Sequence, residues 1–120
     1  MALFDSRTRA LFSADCFGAL LAESAESANQ MAASALRDGI VAWSAIDVPW
    51  LSAMSAVQLA DALSAWRGLA PTTILGSHLP PAVDMAETLF DNLIAARGAE
   101  PFVGPDQAAL EQMLRLPQAA

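Results

Sequence analysis

The sequence predicts a mixed α/β fold, in which an N-terminal β-hairpin and a short later strand pack with about four helices. Three observations predict it. Two short apolar runs near the N-terminus flank a turn-forming segment, and a β-prone run lies in the second half of the chain. The longer stretches around that run repeat apolar residues at three- and four-residue steps, which is the period of a helix. The length of 120 residues is that of one small domain.

The hairpin is predicted from two apolar runs, Ala2–Phe4 and Arg9–Ser13, which flank Asp5–Thr8. Asp and Ser favour turns because their side chains hydrogen-bond the nearby backbone. Apolar residues on both faces of the strands are typical of a sheet that is covered on both sides. The segment Ala14-Asp-Cys-Phe-Gly18 then predicts a sharp exit from the second strand.

The first two helices are predicted over residues 24–46 and from Ala56 onward. In the first, Gly39 either permits close packing or splits the helix, since glycine costs about 1 kcal/mol relative to alanine. The second follows the capping-box pattern Ser55-Ala-Val-Gln58 and is predicted to stop near Gly68. The apolar residues of the first helix are Met31, Ala35, Leu36, Ile40, Trp43 and Ile46.

The later strand and two further helices complete the prediction. Thr72–Leu75 is the β-prone run, bounded by proline and glycine. A third helix is predicted over residues 83–97, with Gly98 as its C-cap. A fourth is predicted over residues 105–116, beginning with a proline that suits the first helical turn. Its apolar face is Leu110, Met113 and Leu114.

Composition excludes several classes of partner. The net charge is −7, with six basic residues, all of them arginine, so neither nucleic acid nor an anionic membrane is an expected partner. No run reaches the roughly 18 apolar residues of a membrane helix. A single cysteine fits a reducing compartment, and we expect a cytoplasmic location. Hydrophobic residues make up 55% of the chain, so either the protein is very compact or some apolar surface meets another molecule.

Two residues are candidate metal ligands. Asp15 follows one predicted strand, and His78, the only histidine, follows another. Acid and imidazole ligands at strand ends are a common way to build a metal site, and Pro80 stiffens the backbone beyond His78. By residue type alone, His78 is more often an ordinary loop histidine and Asp15 a turn residue. Cys16 is best explained as a small buried hydrophobe.

Two segments carry a resemblance to a known family. The segment "ALFDSRTRALFSADCFGALL" resembles the strand pair that bears the metal-bridging aspartate in the metallo-β-lactamase fold superfamily, and it is closest to the flavodiiron-like branch. The segment "TTILGSHLPPA" resembles that family's last histidine motif, and the helical stretch between them resembles the insert of that branch. The resemblance covers residues 2–114. It implies a partial αββα sandwich over residues 1–103, followed by a helical tail over residues 104–120.

The resemblance also implies roles for individual residues. Asp15 would bridge two metal ions and His78 would ligate one of them. The complete family domain holds a dinuclear zinc or iron centre, which hydrolyses a substrate or reduces a small molecule. No flavin is expected, because no flavodoxin-like segment is present. The residues that would shape the surroundings of the ligands are Ser13, Phe17, Gly18 and Ser77.

The departure from the family is large. One histidine cannot supply the family's motif His-x-His-x-Asp-His, or His-x-Glu-x-Asp-His in flavodiiron relatives. A structural or catalytic zinc takes about three or four protein ligands, so tight metal binding by this chain alone is not expected. The resemblance therefore implies the C-terminal half of a domain, inactive alone, whose apolar face meets an N-terminal half or a second copy. The alternatives are a non-catalytic truncated interaction module and an unrelated small helical protein.

Overall fold

The fold is a four-stranded mixed sheet packed with helices, which confirms the predicted mixed α/β class, although only three of the strands were predicted. The computed structural model describes residues 1–115. The strands are β1 (Leu3–Asp5), β2 (Ala10–Ala14), β3 (Thr73–Gly76) and β4 (Ala82–Val83). The helices are α1 (Ala33–Asp47), α2 (Ala56–Leu69), α3 (Ala86–Arg97) and α4 (Gln107–Arg115), and 3-10 helices lie at Ala28–Gln30 and Pro49–Ala53.

The strands follow the order β1-β2-β3-β4 in the sheet. β1 pairs with β2 as an antiparallel hairpin, β2 and β3 run parallel, and β4 is antiparallel to β3. The predicted hairpin turn is present: the carboxylate of Asp5 accepts hydrogen bonds from the Thr8 hydroxyl and the Arg7 N–H, which hold the pKa of Asp5 below its usual value. Because β2 and β3 are parallel, the loops that follow them leave the sheet at the same edge.

The main core lies between one face of the sheet and the helices. Leu11 of β2 and Ile74 of β3 lie side by side and are almost completely buried. The buried apolar side chains of α1 and α3 that belong to the same core are Leu36, Ile40, Leu89, Phe90, Leu93 and Ala96. This core fixes β2 and β3, whose C-terminal ends carry the two predicted ligands.

The opposite face of the sheet is only partly covered. Leu3, Phe12 and Val83 alternate with the buried positions of their strands and are 66%, 43% and 45% exposed. Coverage on both sides, expected from the strand sequences, is therefore not provided by the part of the chain that the structure describes. We call the surface formed by Leu3, Phe12 and Val83 the open sheet face.

The first helix begins at Ala33, and the predicted start near residue 24 was wrong. Contacts with the sheet keep the segment before Ala33 from continuing the helix. The side-chain amide of Asn29 pairs with the backbone of Val83 through two hydrogen bonds of 2.8 and 3.0 Å, and the Ala28 N–H donates to the Pro81 carbonyl. Gly39 permits close packing and does not split the helix: a Cβ there would lie 2.6 Å from the Leu20 carbonyl oxygen.

The remaining helices differ from prediction mainly at their ends. The capping box at Ser55 and Gln58 is present and begins α2 as predicted, but α2 runs through Gly68 to Leu69. The third helix begins at Ala86, because residues 82–83 pair with β3 as a strand instead. The fourth helix begins at Gln107, and the predicted end at Leu116 lies outside the described residues.

α4 exposes its apolar face. Leu110, Met113 and Leu114 are all exposed to solvent. The predicted division of the chain between residues 103 and 104 stays a prediction. Within residues 1–115, no helix is long and apolar enough to cross a membrane.

Candidate metal-ligand pair

Asp15 and His78 lie next to each other in the structure. Nε2 of His78 is 3.3 Å from Oδ1 of Asp15, although the residues are far apart in the chain. Each follows the end of one of the two parallel strands, β2 and β3. Two ligands that each lie about 2.0–2.2 Å from one ion are at most about 4.4 Å apart. The distance between these two atoms is therefore compatible with a shared metal ion, while ligation itself stays a prediction.

A tight turn presents Asp15 to solvent. Ala14 and Phe17 on either side of it have positive φ angles of 51° and 66°, a conformation that side chains other than glycine seldom adopt. The Gly18 N–H donates to the Asp15 carbonyl at 3.2 Å, and the buried Ser13 hydroxyl donates to the Cys16 carbonyl at 3.0 Å. These bonds close the turn and direct the carboxylate outward.

The two loops are tied to each other and to the core. The Ser77 N–H donates to the Ala14 carbonyl at 2.8 Å, and the Ala19 N–H donates to the His78 carbonyl at 2.9 Å. Phe17 is buried and packs edge-on against Trp66, with ring centroids 5.5 Å apart. The four residues expected around the ligands thus all lie in these loops or at their base: Ser13, Phe17, Gly18 and Ser77.

Trp43 of α1 touches both candidate ligands and was not predicted as a site residue. Its indole Nε1–H donates to the Asp15 carbonyl oxygen at 3.2 Å. Its ring lies over the His78 imidazole, with centroids 4.3 Å apart and planes inclined by 33°. The sequence signal for Trp43 was its place on the apolar stripe of the first helix, which indicates burial and says nothing about this contact.

The pair is open to solvent. The side chains of Asp15 and His78 are 61% and 46% exposed, so their electrostatic attraction contributes little to stability. A cavity of about 490 Å³ lies beside His78, between residues 21–25 and 77–80. Another cavity, of about 780 Å³, lies between residues 20–32 and α1 and is lined by neither candidate ligand. Small molecules can therefore approach the pair without any opening of the fold.

The residues present fit part of a metal centre. Carboxylate and imidazole are suitable donors for zinc and iron. Within the described part of the chain, however, no group of three or more His, Cys, Asp or Glu side chains can hold a metal ion. Cys16 is a poor additional ligand, because burial raises the pKa of its thiol to about 11. Asp15 and His78 are thus two suitable donors, fewer than the three or four protein ligands that a zinc site takes.

Comparison with known proteins supports the fold. No protein-family model and no curated protein matches the chain. Among solved structures, rubredoxin oxygen:oxidoreductase from the anaerobe Desulfovibrio gigas is similar, with a TM-score of 0.65 and 21% identity. The match covers 79% of this chain and 24% of that one, so the chain spans about a quarter of its neighbour's length. At this identity the likeness is one of fold alone.

Proposed function

We propose that this chain is the C-terminal portion of a metallo-β-lactamase fold protein and supplies Asp15 and His78 to a dinuclear metal centre. The observation that carries the proposal is the distance of 3.3 Å between His78 Nε2 and Asp15 Oδ1 at the ends of two parallel strands. The likeness of fold to an oxidoreductase of the flavodiiron-like branch supports it. Alone, the chain is inactive, because it lacks the remaining ligands.

The two side chains have separate tasks in such a centre. The His78 imidazole would offer the nitrogen lone pair at Nε2, and that nitrogen carries no proton when it ligates. The Asp15 carboxylate would supply oxygen donors to the same centre, as the resemblance implies for a bridging aspartate. The complete centre would supply either a metal-activated water for hydrolysis or a di-iron pair for reduction of a small molecule.

The missing ligands require a partner. The open sheet face offers the surface for one, since Leu3 and Phe12 lie side by side in the β1–β2 register and are exposed. Covering apolar surface is worth about 25 cal/mol per Å², so an N-terminal half-domain that packs there gains stability and can bring its own ligands to the pair. A second copy of the chain can cover the same face but adds no new kind of ligand.

Metal uptake with a complementing polypeptide tests the proposal. The chain is mixed with a polypeptide that carries the motif His-x-His-x-Asp-His or His-x-Glu-x-Asp-His, and metal content is measured after gel filtration. Uptake is expected with the parent chain and with Asp61→Ala, an exposed aspartate on α2. It is expected to be lost in Asp15→Ala and in His78→Ala. Stoichiometric metal on the chain by itself, or uptake that survives both substitutions, contradicts the proposal.

A second candidate is a non-catalytic interaction module. The exposed apolar residues of the open sheet face and of α4 favour it, because such surfaces commonly bind other proteins. This function predicts a partner complex that Asp15→Ala and His78→Ala leave intact and that contains no metal. The gel-filtration experiment therefore separates the two candidates.

A further inference from the structure

We propose that Trp43 is a positioning residue that holds the His78 imidazole with Nε2 toward Asp15. The proposal rests on the proposed function only for what the pair does. The positioning itself is a property of this chain and can be measured without any metal.

Backbone contacts alone do not fix the imidazole. The Ala19 N–H holds the His78 carbonyl, and Pro80 restricts the residue before it. Neither restraint acts on the side-chain torsions of His78, and an exposed side chain ordinarily exchanges among its rotamers on a short timescale. A ligand that exchanges in this way must give up that freedom when a metal binds. Some side chain must therefore select the rotamer if the pair is preorganised.

Trp43 provides that selection through two contacts made by one indole. The ring covers a face of the imidazole, with ring centroids 4.3 Å apart, and this aromatic contact is attractive beyond simple burial. The Nε1–H donates a hydrogen bond to the Asp15 carbonyl oxygen at 3.2 Å. The same side chain therefore contacts both the loop after β2 and the loop after β3. Stacking on one side and the Asp15 carboxylate at Nε2 together define a single orientation of the His78 ring.

Gly18 leaves the space that the indole occupies. A Cβ at Gly18 would lie 2.4 Å from Trp43 Nε1, which is far inside the contact distance. Any other residue at this position would push the indole away from the Asp15 carbonyl. The absence of a side chain at Gly18 thus lets the Trp43 indole of α1 pack against the loop after β2.

The single histidine makes the experiment direct. In the chain labelled with ¹³C and ¹⁵N, the imidazole signals belong to His78 without ambiguity. We expect three-bond couplings that report one χ1 rotamer and imidazole protons displaced upfield by the indole ring current. Trp43→Phe keeps an aromatic face and should retain the single rotamer, while Trp43→Leu should give averaged couplings. Gly18→Ala should also give averaged couplings, by displacing the indole without changing it.

The controls separate positioning from general damage. Trp50→Phe removes an exposed indole that lines a cavity with Asp15 but without His78, and it should leave the His78 signals unchanged. Far-UV circular dichroism establishes that each variant is folded. Averaged couplings in the parent chain, or a single rotamer that persists in both Trp43→Leu and Gly18→Ala, would overturn the proposal.

A Co²⁺ titration distinguishes this inference from the proposed function. Paramagnetic shifts of the His78 protons, lost in Asp15→Ala, are expected if the pair ligates metal, and the apparent affinity should fall in Trp43→Leu and be restored in Trp43→Phe. If Co²⁺ leaves His78 unshifted even in the presence of the complementing polypeptide, while the rotamer still depends on Trp43, the metal role is wrong and the positioning role stands. If Co²⁺ binds equally well to the parent and Trp43→Leu, the positioning role is wrong.

Discussion

Cys16 follows the bridging candidate Asp15, yet its chemistry differs from that of a reactive thiol. Its side chain packs against the core, and burial raises the pKa of the thiol to about 11. At pH 8 the thiol lies three units below that pKa, so only about a thousandth of it is the thiolate that reacts with electrophiles. We expect Ellman's reagent to modify the folded chain far more slowly than the chain unfolded in guanidinium. Equal rates would show that the thiol is accessible.

The raised pKa of Cys16 makes the free energy of unfolding depend on pH. The folded-state pKa of Cys16 is raised from about 9.0 to about 11, so the unfolded thiol ionises first as pH rises. The free energy of unfolding should therefore be unaffected by Cys16 below pH 9 and should fall between pH 9 and pH 11. Urea denaturation of the parent and of Cys16→Ala over this range measures the effect. A parallel pH dependence in both chains would contradict the assignment to Cys16.

At the scale of single residues, the sequence placed the candidate ligands but not their neighbour. Asp15 and His78 could be located because a motif ends each of two strands, and parallel pairing of those strands brings the ends together. Trp43 could not be found in this way. Helical periodicity indicates which side of α1 is buried, whereas the contact with His78 depends on how α1 is placed against the loops, which is a tertiary property.

At the scale of single elements, two helical glycines differ in whether a side chain would fit in their place. Gly39 lies against the Leu20 carbonyl, and a Cβ there would approach it to 2.6 Å, while a Cβ at Gly68 in α2 would meet nothing within 4 Å. Gly39→Ala should destabilise the chain by about 1–3 kcal/mol through overpacking. Gly68→Ala, as the matched control, should stabilise it by about 0.5–1 kcal/mol. Chemical denaturation measures both, and equal effects would exclude close packing at Gly39.

The capping box of α2 makes a similar comparison possible. The Ser55 hydroxyl accepts from the Gln58 N–H at 3.2 Å. Removing it in Ser55→Ala should cost about 1 kcal/mol. Ser64→Ala, an exposed serine within the same helix, should be neutral or slightly stabilising. If Ser64→Ala lowered the free energy of unfolding as much as Ser55→Ala, the cap would not be the cause of the loss.

The segment before α1 shows why some element boundaries could not be predicted. Residues 24–32 are rich in alanine and serine, and their composition suits a helix. The structure instead uses Asn29 to satisfy the backbone of Val83, a residue distant in sequence. A hydrogen bond to a distant strand outweighs a weak local preference for helix. In α2, by contrast, the capping box is a local signal, and its predicted start at Ala56 is correct.

At the scale of the whole molecule, the open sheet face predicts association. Leu3, Phe12 and Val83 are exposed on one surface, and we expect reversible self-association at micromolar concentration in sedimentation velocity. The net charge of −7 opposes contact between copies, so association should increase with salt as this repulsion is screened. A monomer at every salt concentration would show that this face needs no partner.

A substitution pair locates the association. Phe12→Ser should shift the equilibrium toward monomer, because it removes the largest side chain of the open sheet face. Val57→Ser, on an exposed position of α2, should have little effect. Equal effects of the two substitutions would indicate nonspecific association and not association through the open sheet face.

The strands at the two edges of the sheet are very short. β1 has three residues and β4 has two, and Pro80 and Pro81 precede β4. Such edges offer few free N–H and C=O groups to a further strand, and proline cannot donate at all. Despite its apolar surface, the native chain is therefore a poor template for amyloid fibrils. We therefore expect that copies which associate through the open sheet face do so face to face, as finite oligomers.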